Sequence, residues 1–215
     1  MSQRNSHRLG MWAALAACAA STGYGVVQTM QILGITKPPL DAILIFGVSI
    51  CIATPFVIAM VALLYAVPAE KRVWTHAGIA FAGMYATLVS LVYMTELFVT
   101  IPAQLQGAAD KVQFVTLSEH SFFWAVDALG YIFMSFATLL AAGAFAWRGL
   151  QGWLKLFFVA HGVQAPLIVL ILVRPDLLLI GSPWIVTAPV SMLLLAIFFA
   201  RGTPAPIAVT SQTPQ

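Results

Sequence analysis

Six long apolar segments alternate along the chain with short polar ones. A transmembrane helix needs about 20 consecutive, mainly apolar residues. The segments that meet this requirement are residues 11–33, 40–66, 74–102, 117–146, 154–173 and 177–200. The pattern predicts an all-α, polytopic membrane protein whose six transmembrane helices form one bundle.

The rest of the chain divides between two ends and short connections. Residues 1–10 are a predicted cytoplasmic N-terminus, and residues 11–200 form the bundle. Residues 201–215 are rich in Thr, Pro and Ser, a composition that predicts a disordered cytoplasmic tail. Turn and charged residues such as Lys37-Pro38-Pro39 mark the connections between spans. The longest predicted connection covers residues 104–116.

Basic residues set the predicted orientation, because cytoplasmic loops retain Lys and Arg. On one side of the six spans lie Arg4, Arg8, Lys71, Arg72, Arg148, Lys155 and Arg201. On the other side lie Lys37, Lys111 and Arg174. Seven basic residues against three predict that both termini are cytoplasmic.

Composition supports the membrane interpretation and excludes other classes. Hydrophobic residues make up 61% of the chain and charged residues 8%, with a mean hydropathy of +0.95. A soluble domain carries roughly a quarter charged residues, so the expected partner of this surface is the lipid bilayer. The net charge of +3 comes from scattered residues, and no basic stripe indicates nucleic-acid binding. Cys18 and Cys51 lie in apolar segments and do not form a disulfide or metal motif.

The segment Leu15-Ala16-Ala17-Cys18 is similar to a lipoprotein cleavage box. The apolar stretch before Cys18 is at the short limit of a signal peptide, and apolar residues continue to Leu33. We therefore expect the chain to remain uncleaved. Small residues also crowd this first span, including Ala13, Ala17 and Gly25. They predict close packing inside the bundle or, alternatively, a docking face for a partner subunit.

Polar side chains recur at helical spacing in three of the predicted spans. Residues three, four or seven positions apart share one face of a helix. The first span carries Tyr24, Gln28 and Gln31, the third Tyr93, Glu96 and Thr100, and the fourth His120, Trp124, Asp127 and Tyr131. We expect these stripes to line an acidic and aromatic ligand-binding pocket that opens away from the cytoplasm.

Glu96 and Asp127 are acids inside apolar spans, without a Lys or Arg in any span core. An ionised acid at the membrane centre costs about 2.5 to 3.5 kcal/mol on insertion scales. The two carboxyls must therefore be protonated, be reached by water, or hold a cation. The alternative is that both are protonated and join helices through hydrogen bonds of about 0.6 kcal/mol each.

His161 and Gln164 form a second candidate group in the fifth span, three residues apart. With Asp127 they would make a proton relay toward the cytoplasm, since histidine titrates near neutral pH. The alternative is a histidine satisfied by packing. Pro55 and Pro166 interrupt the second and fifth spans, which correspond in a three-plus-three arrangement typical of transporters.

Catalytic constellations are largely absent from the sequence. The four histidines are dispersed, so we expect neither a metal site nor a cofactor, and we assign no catalytic residue. There is no Gly-x-Ser-x-Gly elbow and no phosphate loop. Acid-base chemistry by Glu119, His120 and Asp127 on a lipid-side substrate is the alternative.

The second half of the chain resembles uncharacterised bacterial six-helix integral membrane families. The resemblance rests on Asp127-Ala128-Leu129-Gly130-Tyr131, on Phe133-Met134-Ser135 and on the Trp147-Arg148-Gly149 turn. It implies a multi-pass protein of the bacterial inner membrane and assigns no activity. The six-helix plan with an Ala-rich first helix is also similar to the substrate-capture subunits of vitamin transporters.

These observations predict a protein that binds or transports a small cation, a proton-coupled solute or a hydrophobic ligand. A carboxyl beside aromatic rings suits a cation, because ring faces attract positive charge. Two alternatives remain open: a membrane enzyme acting on a lipid or quinone, and a non-catalytic sensor or partner subunit. Either a homo-oligomer or a complex with a partner subunit fits the sequence.

Overall fold

The computed structural model describes residues 3–177 and 182–202, and in these ranges the regular structure is helical. The helices are α1 (Gln3–Ile32), α2 (Leu40–Ala66), α3 (Arg72–Thr95), α4 (Ile101–Leu105), α5 (Phe122–Ala141), α6 (Gly149–Gly162), α7 (Ala165–Val173) and α8 (Trp184–Arg201). A π-helical turn, Glu96–Thr100, joins α3 to α4 without a break. A short 3-10 helix, Ala109–Val115, lies in the connection before α5.

The predicted spans agree with these helices to different degrees. The second span has the predicted bounds, and α1 begins at Gln3 rather than at Met11. The helix of the fourth predicted span, α5, begins at Phe122 rather than at Leu117, and the residues before Phe122 lie in a turn. Residues 178–181 of the sixth predicted span and residues 203–215 of the predicted tail lie outside the described residues.

Six helices of the described chain are long and apolar enough to cross a membrane. Large apolar side chains cover their outer surface: Phe98 is 68% exposed, Val186 59% and Leu91 53%. Water would penalise such a surface, whereas hydrocarbon would not. The structure thus confirms the prediction of six helices that are long and apolar enough to cross a membrane.

The helices pack as a closed ring in which each contacts its neighbours along the chain. The order is α1, α2, α3, α5, α6 with α7, and α8, and α8 packs back against α1. His7 Nδ1 lies 3.2 Å from the carbonyl oxygen of Phe199, so the start of α1 and the end of α8 lie at one end of the bundle. We call this the termini end and the opposite one the far end.

Prolines shape the helices in different ways. A proline lacks an N–H donor and its ring crowds the carbonyl four residues earlier. α6 ends at Gly162, four residues before Pro166, and α7 begins at Ala165. The π-helical turn directly precedes α4, whose second residue is Pro102. By contrast, α2 continues through Pro55. Of the two prolines that were predicted to interrupt the second and fifth spans, only Pro166 lies at a helix break.

Small residues permit close contacts between neighbouring helices. Ala13 and Ala17 are buried, in agreement with their predicted packing inside the bundle. On α6, a Cβ atom added to Gly162 would lie 2.5 Å from the Leu139 Cβ and 2.9 Å from the Ser135 carbonyl oxygen. The Ser135 carbonyl oxygen belongs to the α5 backbone and cannot rotate away as a side chain could. α6 can therefore lie this close to α5 only with glycine at position 162.

We expect Gly162→Ala to destabilise the protein, because the added methyl group forces α5 and α6 apart. Overpacking of this kind costs about 1–3 kcal/mol. The matched control is Gly47→Ala, since a Cβ atom at Gly47 of α2 has no neighbour within 4 Å. Thermal unfolding in detergent should show a lower Tm for Gly162→Ala alone. Equal Tm values for both variants would contradict the close approach.

Candidate functional site

Four of the five tyrosines meet inside the ring, and we call Tyr24, Tyr85, Tyr93, Tyr131 and Trp184 the tyrosine cluster. The hydroxyl oxygens of Tyr93 and Tyr131 are 2.7 Å apart and share a hydrogen bond. The Trp184 ring lies 4.6 Å from the Tyr24 ring and 5.5 Å from the Tyr131 ring, measured between centroids. The cluster therefore joins helices α1, α3, α5 and α8.

Asp127 belongs to this cluster. Its carboxyl interacts electrostatically with all four tyrosines. The Oδ1 atom is buried and has no hydrogen-bond partner within residues 3–177 and 182–202. In those same residues the only ion pair is between Arg174 and Asp176, so no cation neutralises Asp127. The sequence predicted this acid, Tyr93 and Tyr131, but not Tyr85 or Trp184.

Trp124 lies one helical turn before Asp127 on the same face of α5. Its indole Nε1–H is buried and likewise has no acceptor in the described part of the chain. An indole nitrogen can only donate a hydrogen bond, whereas a carboxylate oxygen accepts one. Adjacent turns of α5 thus present one unused donor and one unused acceptor.

The polar stripe of α1 forms a hydrogen-bonded chain rather than the lining of an open cavity. The Tyr24 hydroxyl donates to Gln28 Oε1 at 2.6 Å, and Gln28 Nε2 donates to Gln31 Oε1 at 3.0 Å. Gln31 Nε2 in turn donates to Asp41 Oδ2 at 3.2 Å. Asp41, in the first turn of α2, ends the chain and is buried. Sequence reasoning missed Asp41, although this acid is the second residue of the predicted second span, 40–66.

Glu96 occupies a separate position. Its side chain is 3% exposed, and its Oε1 atom accepts a hydrogen bond from the backbone N–H of Leu117. Asp127 is not among its electrostatic neighbours in the described structure, nor is Glu96 among those of Asp127. Glu96 therefore ties the connection before α5 to the end of α3. The two acids that were expected to share a pocket do not contact each other.

His120 lies outside the helical stripe in which it was predicted. It is exposed, in a turn with a φ of 62°. Ser121 explains this, because its Oγ accepts a hydrogen bond from the Trp124 N–H at 3.1 Å and so caps the start of α5. Serine is a preferred N-cap residue, and this signal was present in the sequence. His120 is therefore removed from the candidate site.

His161 and Gln164 meet at Thr187 of α8, and we call these three residues the histidine cluster. The His161 Nδ1 atom lies 3.0 Å from Thr187 Oγ1, and Gln164 Nε2 donates to the same oxygen at 2.8 Å. His161 and Gln164 are buried. No hydrogen bond in the described ranges joins Asp127 to Gln164, so the expected relay is not continuous. Sequence reasoning missed Thr187, because an isolated Thr is common in an apolar helix.

Two surface grooves lie away from these clusters. One, of about 480 Å³, is formed by α1 and α8 and is lined mainly by apolar residues such as Val26, Met30 and Ile185. The other, of about 300 Å³, lies in the connection before α5, around Asp110 and Gln113. Neither groove is lined by the predicted ligand-binding residues. Among the described residues, no three His, Cys, Asp or Glu side chains form a group able to hold a metal ion.

The tyrosine cluster with Asp127 is therefore the candidate site that the geometry favours. It combines hydroxyl groups and packed aromatic rings in the interior of the ring with an acid that has no cationic partner among the described residues. Comparison with protein-family models, with curated proteins and with solved structures finds no match to this chain.

Proposed function

We propose that this chain is a multi-pass membrane protein that binds and releases a proton at Asp127 to drive the movement of a solute. The observation that carries the proposal is the buried Asp127 Oδ1 atom, which lacks a hydrogen-bond partner in the described structure. An acid that serves only to join helices would use its oxygen atoms in hydrogen bonds. Buried ionisable groups in membrane helices commonly mark proton or ion pathways.

Packing favours a proton over a larger cation. Ring centroids in the tyrosine cluster are 4.6 to 6.0 Å apart, which is contact distance for aromatic pairs. An organic cation would need space between the rings, whereas a proton needs only a lone pair. The hydroxyl groups of Tyr93 and Tyr131 lie close enough to reorganise their hydrogen bonds when the carboxyl changes its charge.

We place the termini end in the cytoplasm. Lys71 Nζ donates to the Gly143 carbonyl oxygen at 3.4 Å, and Lys155 Nζ donates to that of Phe145 at 3.2 Å, both at this end. At the far end, Arg174 pairs with Asp176 at 2.8 Å, which lowers the pKa of the Asp176 carboxyl and neutralises one of the few cations there. The excess of basic residues at the termini end supports a cytoplasmic location of that end. The resemblance of the second half of the chain to bacterial six-helix membrane families supports a location in the bacterial inner membrane.

The orientation predicts which exposed loops an impermeant maleimide reaches in intact cells. In a background with Cys18→Ser and Cys51→Ser, we expect Asp110→Cys at the far end to be labelled without lysis. Glu70→Cys, exposed at the termini end, should be labelled only after the cells are permeabilised. The opposite labelling pattern would show that the termini lie outside.

Proton binding at Asp127 predicts a carboxyl infrared band that changes with pH in the purified protein. We expect Asp127→Asn to remove this band and to abolish proton flux into proteoliposomes under an imposed pH gradient. The matched control is Asp110→Asn, which makes the same change at an exposed position and should retain both signals. Thermal unfolding of each variant verifies that the bundle is intact.

A titrating band and a proton flux that both survive Asp127→Asn would refute the proposed site. A wild-type protein without proton flux would refute the proposed activity, whatever the infrared spectrum shows.

A further inference from the structure

The histidine cluster lies next to the tyrosine cluster along α8. Trp184 packs against Tyr24 and Tyr131, and Thr187 follows three residues later on the same face. Three residues correspond to about 4.5 Å along the helix axis, in the direction of the termini end. The histidine cluster therefore lies on the termini-end side of the tyrosine cluster.

Hydrogen-bond chemistry fixes the polarity of the histidine cluster. Gln164 Nε2 donates to the Ala160 carbonyl oxygen at 3.1 Å, which can only accept, so the amide orientation is determined. The same nitrogen donates to Thr187 Oγ1 at 2.8 Å. The single Thr187 hydroxyl proton is then free to point at His161 Nδ1, 3.0 Å away. In the tautomer with the ring proton on Nε2, His161 accepts that hydrogen bond at Nδ1 and offers Nδ1 to an incoming proton.

Two buried oxygen atoms near Thr187 have no partner in the described part of the molecule. They are Gln164 Oε1, on a residue that is 4% exposed, and Ser191 Oγ, on a residue that is 1% exposed. Ser191 lies one turn after Thr187 on α8, so its side chain is a neighbour of Thr187. Buried polar atoms of this kind bind ordered water, which typically makes about three hydrogen bonds.

We propose that His161, Thr187, Gln164 and Ser191 form a hydrated second proton site that receives the proton from Asp127. The inference rests on the proposed function. In the transfer, the Thr187 O–H bond breaks as the His161 Nδ1–H bond forms, and Thr187 takes a proton from the bound water. Because no direct hydrogen bond joins the two clusters in the described structure, further ordered water carries the proton to this molecule from the Asp127 carboxyl. The net change is one proton lost by Asp127 and one gained by His161.

No other charge competes for this proton in the described ranges. α5 and α8 pack against α6. On these two helices the titratable residues are Asp127 and Tyr131, both in the tyrosine cluster, and Arg201 at the termini end. Lys155, on α6 itself, is bound to the Phe145 carbonyl oxygen. Asp127 is therefore the acid on the neighbouring helices from which His161 can receive a proton.

The test is Thr187→Val, which removes the bridging hydroxyl and keeps the shape of the side chain. We expect loss of proton flux into proteoliposomes, while the Asp127 infrared band still titrates. Thr187→Ser retains the hydroxyl and should restore the flux. The control is Thr138→Val, because the Thr138 hydroxyl donates only to carbonyl oxygens of its own helix, those of Met134 and Ser135.

Full flux in Thr187→Val would overturn the second proton site and leave the proton site at Asp127 intact. Loss of flux in Thr138→Val as well would also overturn it, because the removal of any buried hydroxyl would then stop the flux. Absence of the Asp127 band or of flux in the wild type would instead reject the proposed function.

Discussion

The apolar outer surface of the helix ring is the constraint on which the rest of the structure depends. Large side chains such as Phe98 and Val186 face outward, so the larger polar side chains within the apolar length of the bundle turn inward. There they bond to one another and to backbone carbonyl oxygens. The tyrosine cluster, the chain from Tyr24 to Asp41 and the histidine cluster are three outcomes of this one requirement.

Apolar length was sufficient for the number of spanning helices and for the bounds of α2, and helical periodicity was sufficient for part of the site. The bounds of α2 followed from apolar length and from the prolines on either side of it. The helical face that carries Trp124, Asp127 and Tyr131 was also predictable, because a repeat of three or four residues is visible within a single helix. Both of these inferences depend on local sequence alone.

The rest of the site depends on contacts between residues far apart in the chain. The Tyr93 and Tyr131 hydroxyls meet across 38 positions, and His161 meets Thr187 across 26. No spacing rule within one helix relates such residues, so Tyr85, Trp184 and Thr187 were not identified. The error on His120 is different in kind. Its neighbour Ser121 is a recognisable N-cap, but the apolar run was extended through it.

The α1 chain from Tyr24 to Asp41 also has a direction. Asp41 accepts hydrogen bonds from Gln31 and from the Ala42 backbone N–H, and each amide before it must then donate toward α2. The phenolic proton of Tyr24 is therefore committed to Gln28. Toward the interior, Tyr24 presents lone pairs alone. Tyr24 differs in this respect from Tyr93 and Tyr131, whose hydroxyl groups share a hydrogen bond in which either can donate. Asp41, at the rim of the bundle, thereby makes the Tyr24 hydroxyl group an acceptor toward the interior.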